Sequence, residues 1–440
     1  MYTDADPDYR ATKTWSGIPP PSSRDFERTL SRDRRWDRSQ QQQQQQQQRP
    51  MPTHSDRRQP MPVDMRVSTD FLQCKPEQRL AIDDLVATIR AKTGSATSGL
   101  FWDMPELTNQ LIRLRERVKD ATSEARGKSN PFERINKSIF INRAATKLAA
   151  LDATFGLTRT QGNETFTFAD LCGGPGGFTE YLLWRVHSWG GSAYGYGITL
   201  KAAPHEDQLN WHTDKFRPDI PLNFTKVDGV DGTGDLYKDA NIREFGSIVR
   251  QYTRDRGVDL VVADGGFDFT GREMHQEQLA RRLILCEIIT MLTCLRRGGS
   301  FVCKFFDMSQ QFTANLVWIL YQVFGTICIT KPLSSRPANS ERYIVCKDLL
   351  TQHPTQLIQA LSDINQRFEK EEISSFIPAA ILESDEEFVD YIKMRNLRFA
   401  SKQIEALEML VPYIHDPHRP PAHDQEWIRR ACLREWRLPE

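Results

Sequence analysis

Two hydrophobic rhythms alternate through the middle of the chain. Short apolar runs bounded by glycine, proline or aspartate fall at 166–171, 193–199, 223–228, 258–263, 299–306, 326–331 and 342–347, and read as strands. Between them, apolar residues recur at helical spacing over 177–188, 205–213, 240–254, 273–296 and 309–323. Strands interleaved with helices predict an α/β fold with a seven-stranded, mostly parallel sheet covered on both faces.

The flanks follow a different rule. Segments 76–91 and 105–126 carry helical apolar spacing with charged faces, separated by the aromatic stretch "SGLFWDMPE". In "NPFERINKSIFINRAATKLAALDATF" the second half reads as a helix, with Ile139, Ala144, Leu148 and Leu151 on an apolar face. Residues 351–440 turn mainly helical and are expected to pack back as a cap, because a single amphipathic helix is not stable alone. Residues 1–65 are different in kind. They hold scattered arginine and aspartate, prolines, and glutamines from Gln40 to Gln48, too little apolar surface to offset the entropy of ordering. They read as a disordered tail, whose "RTLSRDRRWDRS" serves as a nuclear-import signal, a weak RNA-binding tail or a solvated linker. The resulting division is a tail over 1–65, a helical flank over 66–130, a central α/β domain over 131–350 and a helical extension over 351–440.

Composition narrows the class without deciding it. Lysine plus arginine equals aspartate plus glutamate at 58 each, so overall charge does not mark a nucleic-acid binder, although a regional basic surface is compatible with it. The eight cysteines form no CxxC pair and no metal-ligand spacing, and read as free thiols in a reducing compartment. No metal site is expected. No apolar run is long enough to span a membrane and no secretory core follows Met1, so a soluble intracellular protein is expected.

Candidate chemistry begins with "FADLCGGPGGFTEYLLWR", where the first central strand meets a run of small residues and then a helix. In open α/β sheets, ligands bind beyond the carboxyl ends of the strands, where this loop lies. The dinucleotide fingerprint fails, since its sixth position counted from Gly174 is Thr179, and no Gly-Lys-Ser/Thr follows as a phosphate loop requires. S-adenosylmethionine and a purely structural strand–helix turn are the readings left. "VVADGGFDF" places Asp264 at one strand end, and "SFVCKFFD" places Lys304 at another. A carboxylate and an amine at the ends of buried strands beside a glycine loop point to a reactive crevice.

With those motifs the chain resembles the FtsJ-type RNA ribose 2′-O-methyltransferases, and within them the eukaryotic cap-specific enzymes acting on the first transcribed nucleotide. The resemblance rests on "NPFERINKSIFINRAATKLAALD", the glycine loop, "DGTGD", "VVADGGF", "FVCKFFD" and "KPLSSRPANSERYIVCK". It implies a Rossmann-like, S-adenosylmethionine-dependent methyltransferase with helical flanks, and a catalytic tetrad of Lys147, Asp264, Lys304 and Glu341. Lys304 would be the base that takes the ribose hydroxyl proton. A free lysine titrates near about 10.4, so burial and the field of Lys147 would have to favour its neutral form, while the carboxylates act the other way.

The same match implies cofactor contacts at Asn142, at Cys172, Gly173, Gly174, Pro175, Gly176, Gly177 and Phe178, and at Asp235. Strand "AYGYGITLK" lacks the usual acidic end, so Asp228, Asp231 or Asp235 would hold the adenosine ribose, with Asp235 preferred. For the capped RNA it implies Trp102, Asp103, Arg126, Glu273, Met274, His275 and Asn339; Phe101 is either part of this set or a packing hydrophobe. A cationic methylated guanine favours aromatic and carboxylate contacts. Expected partners are the capped mRNA 5′ end and the transcription or capping machinery, with the chain acting as a monomer in the nucleus. The rival readings are a ribose methyltransferase for rRNA or for the second cap nucleotide, and a non-catalytic cap-binding scaffold.

Overall fold

The computed structural model describes residues 63–440 apart from 95–98, 137, 160–163, 202–208, 268, 270 and 417. The N-terminal tail therefore lies outside the described residues up to 62. From 63 onward the chain is tied to the body: Asp70 pairs with Arg395 and, at 2.9 Å, with Arg398.

The central sheet has eight strands: β1 Phe71–Leu72, β2 Phe166–Leu171, β3 Ala193–Ile198, β4 Phe224–Lys226, β5 Val258–Ala263, β6 Leu295–Phe305, β7 Phe324–Thr330 and β8 Arg342–Leu349. Their spatial order is β1-β7-β8-β6-β5-β2-β3-β4. Strands β4, β3, β2, β5 and β6 are mutually parallel, whereas β8 runs antiparallel between β6 and β7. The expected seven strands are all present. The eighth, β1, is a two-residue edge strand on β7 that is too short to leave a periodic signal in the sequence.

The described helices of seven residues or more are α1 Ile82–Thr88, α2 Pro105–Val118, α3 Ser123–Ser129, α4 Ala144–Phe155, α5 Gly177–Ser188, α6 Asp239–Tyr252, α7 Gln276–Cys294, α8 Gln311–Val323, α9 Thr355–Arg367, α10 Glu386–His415 and α11 Gln425–Glu435. Segment 76–91 is thus helical only over α1. The span 105–126 is two helices, because Thr122 leaves the helical region and caps the second by accepting the Ala125 N–H at 3.1 Å. The expected helix 205–213 falls largely outside the described residues; beyond it only a single tight turn forms, Thr213–Lys215.

Both faces of the sheet are buried, and alternate residues go to opposite sides. In β2, Phe166 and Phe168 face α4, α5 and α11, while Ala169 and Leu171 face α6 to α9. In β5, Leu260 and Val262 take the first face and Val261 and Ala263 the second. The C-terminal helices close the body as expected. Helix α10 packs on α2 through Leu407, Leu410, Leu111 and Leu114. The α11 end is fixed by Arg185, whose guanidinium donates to Trp436 O at 2.5 Å. All eight cysteines are free, and all but Cys172 are buried. Among the described residues no helix is long and apolar enough to cross a membrane, and no group of side chains could hold a metal ion.

Candidate active site

The alternation that buries the sheet also aims its polar residues. Lys304 follows Val302 by two in β6, so it emerges on the α4–α5 face just where the strand ends. Asp264 continues β5 on that face after Leu260 and Val262, and the pairing of Ala263 with Cys303 sets it beside Lys304. Because β8 is antiparallel to β6, its first residues meet the last of β6, and Tyr343 sits directly opposite Lys304. Glu341, two residues before Tyr343, shares its side. Helix α4 supplies the fourth group. Its alanine-rich sequence allows close approach, and Lys147 is buried on its inner face.

The four side chains converge. Lys147 Nζ lies 2.9 Å from Glu341 Oε2 and 3.5 Å from Asp264 Oδ2. Lys304 Nζ lies 3.2 Å from Asp264 Oδ1 and donates to the Asp264 backbone carbonyl at 2.8 Å. Their side chains are only 8% to 14% exposed. Two cations and two carboxylates balance, so no charge in this low-dielectric site is left alone. Gly266 makes room for the arrangement, since a Cβ there would lie 2.8 Å from Lys304 Nζ.

Burial alone would push the Lys304 amine down, but the Asp264 and Glu341 carboxylates outweigh it and hold its pKa above the ordinary lysine value. The sequence left that balance open; in the packed site the carboxylates prevail, and without ligands the Lys304 amine favours its ammonium form. Burial opposes ionisation of Glu341 too, yet Lys147, Lys304 and Lys331 hold its carboxyl well below the usual range.

Tyr343 completes the cluster. Its hydroxyl donates to Asp264 Oδ1 at 2.5 Å and stands 3.2 Å from Lys147 Nζ. Burial first, and then Asp264, keep it protonated, so it is a fixed donor. Sequence reasoning missed it, although its spacing of two from Glu341 in a strand was the available signal. Ser335 was missed as well; its hydroxyl donates to Glu341 Oε1 at 2.6 Å.

The glycine loop lies at the adjoining strand end, and its backbone is pressed from all sides. A Cβ on Gly173 would fall 2.4 Å from Asp170 Cγ, on Gly174 1.9 Å from Leu209 O, and on Gly177 2.1 Å from Asn142 Oδ1. Cys172 and Gly176 adopt positive φ, at 55° and 117°. Asn142 is thereby placed against the loop, and it also accepts the Ala144 N–H at 2.9 Å at the start of α4. Thr199, just past β3, joins the loop to the next turn: its hydroxyl accepts from Gly174 N at 3.3 Å, and its carbonyl leaves no space for a Cβ on Gly234. This brings Asp235 to the same edge. Asp228 is paired to Lys201 at 2.7 Å and Asp231 is held by Lys238, Thr233 and Asn241, while Asp235 accepts the Tyr237 N–H at 2.9 Å through one oxygen. Beneath the loop Asp170 is fully buried. One of its oxygens accepts from Thr179 at 2.7 Å and the other has no partner, while burial pushes its carboxyl up to about 7.

Residues 140–349 match the family model described as FtsJ-like methyltransferase. This segment is an FtsJ-like methyltransferase domain. Its cofactor is S-adenosylmethionine, which supplies an electrophilic methyl group on a sulfonium. The residues suit it: a backbone cradle at the loop, an unpartnered buried carboxylate oxygen beneath, and the Asp235 carboxylate at the same edge.

Two curated relatives extend the similarity past the domain. The chain is 40% identical over 335 residues to cap-specific mRNA (nucleoside-2′-O-)-methyltransferase 1 of Dictyostelium discoideum, which covers 72% of this chain and 43% of the relative. It is 37% identical over 336 residues to the Homo sapiens protein of that name, covering 72% and 39%. The chain thus spans about two fifths of the length of these relatives.

The residues expected to hold capped RNA are less unified. Phe101 is a packing hydrophobe, edge-on to Phe388 at 6.4 Å. Trp102 is half-buried and donates its indole N–H to Thr108 at 2.6 Å, while Asp103 is exposed. Glu273, Met274 and His275 form one exposed turn ahead of α7, and Arg115 of α2 reaches the Met274 sulfur at 2.7 Å. Arg126 directs its guanidinium at the Val118, Lys119 and Ala121 carbonyls, which ties the end of α2 to α3. Asn339 stands in the loop before Glu341, its amide oxygen held by Lys331 at 2.7 Å.

Proposed function

We propose that the chain methylates the ribose 2′-hydroxyl of the first transcribed nucleotide of capped mRNA. The observation that carries this reading is the Glu341–Lys147–Asp264–Lys304 chain of ion pairs beside the glycine loop, each link within 3.5 Å. A ribose hydroxyl is a weak nucleophile and must lose its proton as it attacks. Lys304 is the base. Two of its contacts are to Asp264, which leaves one tetrahedral position of its nitrogen for the acceptor hydroxyl. In the ligand-free site it is held protonated, so its proton must leave as the site fills. A positive charge brought next to it, and exclusion of water, both lower its proton affinity. Asp264 and Tyr343 fix the orientation of Lys304 and Lys147, and Lys147 stabilises the developing alkoxide. The rest is positioning of the two reactants for in-line transfer.

The substrate assignment follows the relatives' names and the motif "SRPANSERY". We assign contacts to the cap and its adjoining phosphates to the exposed 273–275 turn, Trp102, Asp103, Arg126 and Asn339, which do not converge as the tetrad does. We place the activity in the nucleus, alongside the transcription and capping machinery. The test is transfer from labelled S-adenosylmethionine to short RNAs bearing a methylated cap, an unmethylated cap or a plain triphosphate, with the methylated position mapped. Cap-dependent label on the first nucleotide's ribose is expected. Label on a later nucleotide, or label independent of the cap, refutes the substrate assignment; no label on any RNA refutes the activity.

A further inference from the structure

Behind Glu341 lies a third lysine that the reaction as described does not use. Lys331 follows β7 directly, and its ammonium faces three oxygens: Asn339 O at 3.0 Å, Asn339 Oδ1 at 2.7 Å, and Glu341 O. All three are acceptors only, and an ammonium has three hydrogens to give them. A lysine from the β7 end thus ties together the loop that begins β8. That loop carries Glu341, which holds Lys147, and Asn339, whose oxygen is occupied so that its amide N–H groups are the part left to offer.

We propose that Lys331 is a positioning residue for methyl transfer, holding Glu341 and Asn339 in register with the catalytic lysines. It touches none of the reacting groups and acts through the Glu341 carboxylate and the Asn339 amide. The charges around it are mixed. Glu341 faces it from the loop before β8, Arg342 from the start of β8, Lys147 from α4, Asp307 from the loop after β6, and Lys402 of α10 shares a small cavity with it. Burial pushes its amine down to about 7, with Glu341 opposing and Arg342 and Lys147 reinforcing the fall. A neutral amine donates only two hydrogens, so deprotonation leaves one of the three oxygens facing a lone pair and loosens the loop. The role therefore has a pH signature that a packing role lacks. Activity that needs charged Lys331 falls as pH rises, opposite to the rise expected from Lys304 as base.

The inference rests on the methyl-transfer reading, and two variants test it. Lys331→Met keeps the length and removes the charge. Lys331→Arg keeps the charge, cannot deprotonate near neutrality, and has room for its larger head in the adjoining cavity of about 50 Å³. Rate of transfer to capped RNA is measured against pH, beside S-adenosylhomocysteine affinity and thermal stability. Hydrogen exchange over residues 334–342 is followed without RNA, which reads the loop even if the RNA assignment fails. Expected for Lys331→Met are kcat lower by roughly ten- to a hundredfold, cofactor affinity within about twofold, and faster exchange over 334–342, the magnitude usual for a misplaced catalytic group. Lys331→Arg should restore slow exchange and most of kcat, and lose the alkaline limb of the wild-type profile. An unchanged limb in Lys331→Arg overturns the proposal. So does unchanged loop exchange in Lys331→Met, or loss of stability and cofactor affinity in proportion to kcat.

Discussion

Replacing Glu341 by Gln removes one charge and almost no volume, which makes it the sharpest probe of the tetrad. The Lys147–Glu341 pair at 2.9 Å corresponds to about 6 kcal/mol of gross attraction at an effective dielectric of about 20. Asp264, 3.5 Å away, supplies about 5 kcal/mol on the same scale. Lys147 therefore keeps one carboxylate. Breaking a buried pair outright usually costs about 3–5 kcal/mol, so with half of the balance retained the loss of stability should be about 2 kcal/mol. The second effect is on the base. Glu341 is, with Asp264 and Glu287, one of the carboxylates that hold the Lys304 pKa up, so in Glu341→Gln that pKa falls. A base works deprotonated, and the rate climbs as pH rises through its pKa; a lower pKa moves the acid limb of the single-turnover profile to lower pH. The plateau should drop roughly a hundredfold, because Lys147 is no longer held from both sides. Cofactor affinity, measured with S-adenosylhomocysteine, should stay within about twofold, as for other losses confined to the transition state. An acid limb that stays put, or moves to higher pH, would show that Lys304 is not the group titrating there.

Three further substitutions test separate parts of the reasoning. Tyr343→Phe removes the donor to Asp264 Oδ1 without altering shape; transfer should fall roughly tenfold and unfolding stability by about 1–2 kcal/mol, and wild-type kcat would remove Tyr343 from the cluster. Gly177→Ala drives a Cβ to 2.1 Å from Asn142 Oδ1, so cofactor affinity measured by calorimetry should drop by about an order of magnitude, as expected where a backbone must approach a ligand closely. Glu287 is buried with one oxygen unpartnered, and burial pushes its carboxyl up to about 7. The folded state therefore binds its proton more tightly than the unfolded chain, and stability is lost as pH rises from the ordinary carboxyl value through 7. Glu287→Gln removes that penalty. Its melting temperature should exceed wild type at pH 8, by a gain of up to about 3 kcal/mol, with most of the gain gone at pH 5; an equal gain at both pH values would contradict the assignment.

The local sequence determined most of the strand and helix layout here, because each element buries a face and burial leaves a period. It also set the side on which each reactive group emerges. Lys304 follows Val302 by two, and Glu341 precedes Tyr343 by two and Val345 by four, and this parity is written in the chain. The glycine loop was legible as a cramped ligand-side turn for a similar reason: consecutive small residues between a strand and a helix have few other uses.

What the tertiary structure alone decided is which ends meet. The antiparallel insertion of β8 between β6 and β7 sets Tyr343 opposite Lys304, and no local pattern gives that order. It brings Lys147 against a glutamate 194 positions away, and it makes Lys331 a brace rather than a surface lysine. It fixes the charge of Lys304 as well. Burial and the neighbouring carboxylates oppose one another there, and their balance depends on distances such as the 3.2 Å to Asp264, which only the packed chain defines.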